Sequence, residues 1–271
     1  MHDTTLDVTS PRIWRRFSAA QRMARFAVYL LIVAAIVTAL QTIEIIPEFL
    51  ADAPEQIGDL LTRMWPIDWR AYPIEVHAAL METIHIASLG TLLALVLALP
   101  IGLLAAHNLV PFAPLNLFAK LILVSSRSVN SLVWALLFVG IFGPGAIAGT
   151  LAIAFRSIGF VGKLFGEALE EAQPGPIEAL VATGAPWRSV LSFGYWPQVK
   201  PAFWSIALFR FDINVRESAV LGLVGAGGIG MALDAALNLF QWGRVALILV
   251  AILAIVVVTE IAVTQIRKRL L

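Results

Sequence analysis

Long apolar runs separated by short polar connections make up most of the 271-residue chain. A helix of about 20 apolar residues is long enough to cross the hydrocarbon core of a bilayer. Six runs have this length: Ala24–Ile46, Ala79–Ala106, Leu117–Ile141, Ala146–Phe165, Pro201–Leu223 and Val245–Ile266. The pattern predicts an all-α membrane protein with about six transmembrane helices, which residues 1–271 form as a single transmembrane domain.

Composition leads to the same class of protein. With 59% hydrophobic and 14% charged residues, the chain has too little charge to cover a soluble globule of its size, so we expect a lipid bilayer around it. The absence of cysteine excludes disulfide bonds and thiolate metal sites. The four histidines are scattered and no basic tract suits a nucleic acid, so neither a metal site nor a nucleic-acid partner is predicted.

The first apolar run could be either a membrane-spanning helix or a secretory signal peptide, because several arginines precede it. The stretch Ala24–Thr42 is longer than the roughly 7–15 apolar residues of a signal core, and no small-x-small cleavage site closes it. We therefore expect a retained first helix that follows a cytoplasmic tail, residues 1–23.

Basic residues near the ends of the predicted spans indicate the orientation, because short cytoplasmic loops carry an excess of lysine and arginine. With six crossings these residues fall on one side: the N-terminal arginines, Lys120, Lys163, Arg188, Lys200 and Arg267-Lys268-Arg269. This predicts a protein of the cytoplasmic (inner) membrane with both termini and the loop 166–198 in the cytoplasm.

The loop 47–78 is then external, and its acidic residues outnumber Arg63 and Arg70. It also carries Trp65, Trp69 and Tyr72, which suit the boundary between lipid and water. We expect an interfacial amphipathic helix and loop here, and contact with an external partner is the alternative.

The polar stretch Glu167–Gln198 interrupts the apolar pattern between the fourth and fifth spans. Glycine and proline placement predicts a short helix at Ile177–Thr183, a turn at Gly184, and a second short helix at Trp187–Trp196 that Pro197 ends. Such a helical hairpin lies on a membrane face, since its polar residues do not suit hydrocarbon. An ordinary polar connector with helix propensity is the alternative, and it would explain the polarity.

The fifth span contains an unusual number of charged residues for a membrane helix. A charge that faces lipid costs about 2.5–3.5 kcal/mol on insertion scales, so these side chains are expected to face protein or water. Helical spacing predicts an ion pair between Asp212 and Arg216, next to Glu217. It also predicts a second polar line on the same helix, formed by Arg210, Asn214 and Ser218.

Two further arginines lie within other spans. Arg127 is followed by Ser128 and Asn130 in the third span, and Arg156 lies in the fourth. Guanidinium groups match the oxygens of phosphate-like anions, so inward-facing arginines with hydroxyl and amide neighbours indicate a pathway for an oxyanion. A salt-bridge network that only locks the helices together is the alternative.

The glycine-rich run after the fifth span contains a literal G-x-G-x-x-G at Gly225, Gly227 and Gly230. In a dinucleotide-binding fold this motif follows a strand, and an acidic residue lies about 20 positions further on. Here a spanning helix precedes it and the region around Val250 is apolar. We therefore predict a tight re-entrant turn at the outer mouth that, with Gly228, forms part of an outer gate.

Several of these stretches resemble a known family. Glu178-Ala179-Leu180, Gly184 and Pro197 have the spacing of the "EAA" loop of ABC importer permeases, although Leu180 replaces the usual alanine and Gly194 the usual isoleucine. Over residues 80–265 the chain is similar to the permease of phosphonate ABC importers. The segments that carry this likeness are NVRES at 214–218, RSVNSLVWA at 127–135 and GKLFGEA at 162–168. Asn130 departs from the Arg-Ser-x-Pro segment of that family, which puts the kink of the third span in question.

The resemblance implies a type I ABC importer permease fold with a cytoplasmic coupling hairpin. It implies as partners a second permease chain in a homodimer, two cytosolic ABC ATPases that hold ATP and Mg, and an external substrate-binding protein. No catalytic residue or cofactor is then expected in this chain. The residues expected to contact the ATPase are Glu178, Ala179, Gly184, Trp187 and Pro197.

The resemblance favours phosphonate as the substrate, and inorganic phosphate or phosphite is the alternative within the class. A different class, a proton-coupled secondary transporter, would use the intramembrane charges as a proton relay without an ATPase. The hairpin disfavours that class. A third hypothesis, a nicotinamide-linked membrane enzyme, is supported by the glycine run alone.

Overall fold

The computed structural model describes residues 17–43 and 47–270, and all regular secondary structure in these ranges is helical. The predicted all-α class is thus confirmed. The chain divides into two compact units, Met1–Asp59 and Leu60–Leu271. Most of the predicted tail 1–23 and the end of the predicted first span, residues 44–46, lie outside the described residues. The single domain of residues 1–271 stays a prediction.

The first unit contains helix α1, Ala19–Thr42. Its N-terminus is a capping box, in which Ser18 Oγ accepts from the Gln21 N–H at 3.3 Å and the Ser18 N–H donates to Gln21 Oε1 at 3.1 Å. No residue of α1 is buried, and its mean hydropathy is high enough for a membrane span. Helix α2, Pro47–Arg63, follows and begins with Glu48 in its first turn, which complements the helix dipole.

The second unit is a bundle of long helices joined by short elements. These are a 3-10 turn at Trp69–Ala71, a π-turn at Tyr72–Val76, α3 (His77–Ala105), α4 (Ala113–Ser128), α5 (Ser131–Phe142), α6 (Ala146–Glu170), α7 (Pro174–Ala182), α8 (Trp187–Ser189), a π-turn at Val190–Tyr195, α9 (Trp196–Leu221), a 3-10 turn at Gly222–Val224, α10 (Ile229–Asn238) and α11 (Trp242–Leu270). Within the described ranges, five helical stretches are long and apolar enough to cross a membrane, or six if α4 and α5 together form one span. This agrees with the predicted number.

Helices α3 and α6 pack together at the centre of the bundle. A Cβ atom on Gly90 would lie 2.8 Å from the Ile153 side chain, and one on Gly102 would lie 3.0 Å from the Gly162 carbonyl oxygen. Small residues at such crossings let helix backbones approach closely, which is how membrane helices gain packing energy. This close pair is the scaffold against which α4, α5 and α9 pack.

The third span differs from its prediction because it is broken in the middle. Instead of a continuous helix over Leu117–Ile141, α4 ends at Ser128 and α5 begins at Ser131, with 90° between their axes. Asn130 is the N-cap of α5, and its side chain accepts a hydrogen bond from the Leu132 N–H at 3.1 Å. The kink is therefore present although Asn130 replaces the expected proline.

The fifth span also differs from its prediction, because Pro197 does not end the second hairpin helix. Pro197 lies in the first turn of α9, where a missing N–H costs little, and α9 continues to Leu221. A π-turn at Val190–Tyr195 connects α8 to α9 without a break. The long helix thus begins before the predicted start at Pro201.

Candidate functional site

Three arginines from three helices line one cavity of about 390 Å³. Arg127 comes from the end of α4, just before the 90° bend, whereas Arg156 belongs to α6 and Arg210 to α9. Ser128 and Phe160 complete the lining. We call this cavity the arginine pocket. It brings together cations that are 29 and 54 positions apart along the chain.

Close contact between α4 and α6 brings Arg127 to this pocket. A Cβ atom on Gly159 would overlap the Leu123 carbonyl oxygen and lie 2.9 Å from the backbone nitrogen of Arg127. Ser126 Oγ accepts from the Gly159 N–H at 3.1 Å and donates to the Phe155 carbonyl oxygen. Only glycine at position 159 permits this approach, so Gly159 and Ser126 position Arg127 without contacting the pocket themselves.

A single carboxylate, that of Glu217, joins two of the three arginines. It forms an ion pair with Arg156, and Arg210 Nη2 lies 3.2 Å from Glu217 Oε2. Arg210 is almost fully buried, with 4% of its side chain exposed. Its Nε also donates to Ser157 Oγ at 2.8 Å, and its guanidinium lies 5.6 Å from the centre of the Phe160 ring. Arg210 is thus held from three directions.

A chain of hydrogen bonds extends from Arg210 into the core. Ser157 Oγ donates to Asn214 Oδ1 at 3.2 Å, and Asn214 Nδ2 donates to Thr91 Oγ1 on α3 at 2.7 Å. Ser218 Oγ, one turn further along α9, donates to the Val215 carbonyl oxygen at 2.9 Å. The predicted polar line of α9 is therefore buried and largely satisfied within the protein. Thr91 was not predicted, because a threonine in an apolar helix commonly bonds its own backbone, as Thr91 does to Ala87.

The predicted ion pair between Asp212 and Arg216 forms on another face of α9. Glu260 of α11 lies 4.0 Å from Arg216 Nη2, whose side chain is 47% exposed. Asp212 Oδ1 is buried and has no hydrogen-bond partner in the part of the chain that the structure describes. Of the predicted pathway set, the arginine pocket therefore includes Arg127, Ser128, Arg156 and Arg210, with Glu217 joined to it by ion pairs. The other five predicted residues neither line it nor pair with its arginines through an ion pair: Asn130, Asp212, Asn214, Arg216 and Ser218.

The glycine run forms the predicted tight turn between α9 and α10. Gly225, Gly227 and Gly228 have φ values of +84°, +83° and +73°, which are unfavourable for residues with a side chain. The turn packs against its neighbours, since the Gly145 N–H donates to the Gly225 carbonyl oxygen at 2.9 Å. A Cβ atom on Gly230 would lie 2.7 Å from the Gly222 Cα, so α10 folds back closely beside the end of α9.

At the opposite end of α9, residues 166–198 form a compact hairpin around a glycine turn. Helix α7 ends in a Schellman motif, in which the Ala185 N–H donates to the Leu180 carbonyl at 3.3 Å and the Gly184 N–H to the Val181 carbonyl at 2.9 Å. Gly184 has a φ of +72°, the left-handed conformation that this motif requires. The predicted turn at Gly184 is thus present.

Gln198 closes the base of the hairpin, a role that the sequence did not indicate. Its Oε1 accepts from the Gln173 N–H at 2.9 Å, and its Nε2 donates to the Gly194 carbonyl oxygen at 2.8 Å. A Cβ atom on Gly194 would lie 3.3 Å from the Leu180 side chain, so a small residue here lets α7 pack on the π-turn. Leu180 and Gly194, the two departures from the EAA pattern, therefore contact each other.

The outer surface of the hairpin combines exposed polar and apolar groups. Glu178, Ala179 and Gly184 are exposed, as are Trp187 and Phe193, whose exposures reach 53% and 72%. Glu178 has no hydrogen-bond or ion-pair partner among the described residues, so its carboxylate is available to a partner protein. Exposed aromatic side chains beside polar groups are typical of protein interaction sites.

Comparison with known proteins agrees with these features. Residues 98–271 match the family described as "Binding-protein-dependent transport system inner membrane component". Over 249 residues the chain is 36% identical to the phosphate-import permease protein PhnE of Mycolicibacterium smegmatis, covering 92% of this chain and 47% of that protein. The chain thus spans about half the length of this relative. Over 204 residues it is 38% identical to the phosphite transport system permease protein PtxC of Stutzerimonas stutzeri, covering 75% of this chain and 74% of PtxC.

Solved structures share the fold over almost three quarters of this chain. The MetNI methionine ABC transporter in an inward-facing conformation matches with a TM-score of 0.60 and 22% identity, over 72% of this chain and 96% of the matched chain. An amino acid ABC transporter matches with a TM-score of 0.62 and 19% identity, over 73% of this chain and 95% of the matched chain. The predicted permease fold is thereby confirmed. The chain belongs to the family of binding-protein-dependent transport system inner membrane components.

Proposed function

We propose that the chain is the permease subunit of an ATP-driven importer for phosphonate or a related phosphorus oxyanion. One observation carries this proposal: Arg127, Arg156 and Arg210 converge on a single cavity beside the bend of the third span. Guanidinium groups bind phosphate-like oxygens in a fork geometry. Salt bridges that only lock helices would not require the third arginine, because Arg127 has no ion-pair partner among the described residues.

The tetrahedral head shared by phosphonate, phosphite and inorganic phosphate suits the arginine pocket in each case. The names of the two relatives above refer to phosphate and phosphite, which keeps both anions as alternatives to phosphonate. The guanidinium groups of the pocket can bind the oxygens of the tetrahedral head, which the three anions share. They do not distinguish the fourth substituent on phosphorus, in which the anions differ. We infer that selection among these anions belongs to a separate binding protein on the external side.

The hairpin is proposed to couple the permease to cytosolic ABC ATPases, which would hold ATP and Mg. Glu178 and Ala179 are exposed on α7, and Gly184 forms the turn that follows it. Trp187, at the start of α8, adds exposed apolar surface for contact. Pro197 lies in the first turn of the long helix α9, which runs from the hairpin to Arg210 and Glu217. A movement of the hairpin would therefore reach the arginine pocket along one rigid element.

The remaining assembly follows from this arrangement. Two permease chains, as a homodimer, would enclose the pathway. The basic residues near the hairpin favour a cytoplasmic position for it and for both termini. The glycine turn at residues 225–230 would then lie toward the external side. Its proposed role is an outer gate, because closely packed glycines let α10 move against α9 without side-chain clashes.

The test is uptake into proteoliposomes that contain this chain, its ATPase and its binding protein. We expect ATP-dependent accumulation of at least one anion from a panel of methylphosphonate, phosphite and inorganic phosphate. Accumulation driven by a proton gradient without ATPase would instead support the secondary transporter. Binding of NADH by the purified chain would support the membrane enzyme.

A further inference from the structure

The arginine pocket contains more positive charge than its own carboxylate neutralises. Three guanidinium groups face one carboxylate, that of Glu217, which pairs with Arg156 and Arg210. The neighbouring acidic residues are engaged elsewhere: Glu167 lies 3.3 Å from Lys163, and Glu170 lies 2.9 Å from His107. The pocket therefore has an excess of two positive charges.

We propose that Glu217 is an internal counter-anion, which a doubly charged tetrahedral oxyanion displaces from Arg156 and Arg210 when it enters the pocket. This inference rests on the proposed function and specifies its substrate as a dianion. Once Glu217 is displaced, the three guanidinium groups carry three positive charges, and a dianion neutralises two of them. A monoanion would neutralise only one and leave two uncompensated charges in a partly buried place, which is more unfavourable.

The contacts of Arg210 and Glu217 indicate which of them moves. Arg210 is 4% exposed and is also held by Ser157 Oγ at 2.8 Å, so it stays in place when the carboxylate leaves. Glu217 is 17% exposed, and its described partners are the two arginines alone. The carboxylate can therefore withdraw while the donors remain positioned for an incoming anion.

A displaceable carboxylate would solve two problems of a translocation site. When no substrate is present, buried guanidinium groups are costly unless an anion neutralises them. When substrate is present, binding has to be weak enough for release, as conduction through any pathway requires. Competition from Glu217 meets both needs, because it stabilises the empty site and lowers the affinity of the occupied one.

Anion binding to the full chain in lipid nanodiscs tests the proposal. Glu217→Gln removes the competing charge while keeping the shape of the side chain. We expect it to tighten the binding of inorganic phosphate and methylphosphonate about tenfold or more by calorimetry. Glu260→Gln is the matched control, since Glu260 lies on α11 outside the arginine pocket, and we expect a change of less than about twofold there.

A pair of ligands provides a second measurement that needs no variant. Methylphosphonate and its monomethyl ester share the tetrahedral head but differ by one charge, and we expect the dianion to bind at least about tenfold more tightly. Equal binding of the two ligands would overturn the dianion site.

Unchanged or weaker phosphate binding in Glu217→Gln would overturn the counter-anion role. Failure of the unmodified chain to bind or transport any phosphorus oxyanion would overturn the proposed function itself.

Discussion

At the scale of single residues, burial decides what each charge can do. Arg210 and Arg216 lie six positions apart on α9, yet Arg210 is 4% exposed and faces the arginine pocket, whereas Arg216 is 47% exposed and pairs with Asp212. The sequence predicted that both would avoid lipid, because a charge in hydrocarbon is costly. Which of the two lines a cavity depended on the packing of α6 against α9.

Arg210→Ala is therefore expected to reduce uptake more than Arg216→Ala. Removing one partner of a buried ion pair costs about 2–5 kcal/mol, so a loss of roughly thirtyfold or more in anion affinity is expected for Arg210→Ala. Initial rates of uptake in proteoliposomes measure this, and size-exclusion chromatography checks that both variants assemble. Equal losses in the two variants would contradict a specific role for the arginine pocket.

At the scale of secondary-structure elements, caps and turns decide where the helices begin and end. The break after Ser128 depends on Asn130, whose φ of −65° and ψ of 146° let it cap α5. A φ of −65° is also the value that a proline ring fixes. The proline that the family resemblance led us to expect would therefore also fit the backbone of this bend.

Asn130→Ala is expected to destabilise the bend, because loss of an N-cap costs about 1 kcal/mol. We expect the apparent thermal midpoint of the purified chain in detergent to fall by about 2–4 °C. Asn130→Pro and Asn130→Ser are the controls, since the first keeps the backbone angle and the second keeps the cap. A larger loss in Asn130→Pro than in Asn130→Ala would mean that the bend does not tolerate the proline geometry.

Gly184→Val tests the hairpin, since a β-branched residue at a φ of +72° is strained by about 1–3 kcal/mol. We expect ATP-driven uptake to be lost while membrane insertion and anion binding by the chain persist. Gly175→Ala is the matched control, because a Cβ atom added to Gly175 in α7 would meet no other atom within 4 Å and its φ is not positive. Retained uptake in Gly184→Val would refute the coupling role of this turn.

Element boundaries show both the strength and the limit of sequence patterns. The turn at Gly184 and the polar line along α9 follow from local spacing, so they were predicted correctly. Pro197 was predicted to end a helix, but it lies in a first turn after a π-turn, where proline is tolerated. Periodicity alone does not reveal a π-turn, because such a turn depends on how Gly194 packs against α7.

At the scale of the whole molecule, the exposed face of the hairpin is the surface that an ATPase would contact. Phe193→Asp places a charge in its most exposed aromatic position, where 72% of the side chain is accessible. We expect this variant to lose most of the ATPase that copurifies with the unmodified chain. Leu239→Asp is the control, because Leu239 is 64% exposed and follows α10, far along the chain from the hairpin.

Retention of the ATPase by Phe193→Asp would require another docking surface. Equal loss in both variants would show a general effect on assembly. If the unmodified chain copurified with no ATPase at all, the hairpin would lose its proposed partner and the secondary transporter would become the better account of the intramembrane charges.

The sequence by itself determined the features that depend on local order along the chain. The number of apolar runs predicted the number of spans, and the helical period predicted the polar line of Arg210, Asn214 and Ser218. The positions of the glycine, proline and EAA residues predicted the hairpin and the resemblance to the family. Each of these is encoded within about 30 neighbouring residues.

Only the tertiary structure decided which distant residues share a site. Arg127 lines the same cavity as Arg156 because Gly159 leaves no side chain between α4 and α6. Gln198 closes the hairpin through its hydrogen bond from the Gln173 N–H. Glu217 joins Arg156 to Arg210 for the same kind of reason, since three helices meet there. Such contacts depend on how helices pack, and packing is a property of pairs of surfaces that no single stretch of sequence contains.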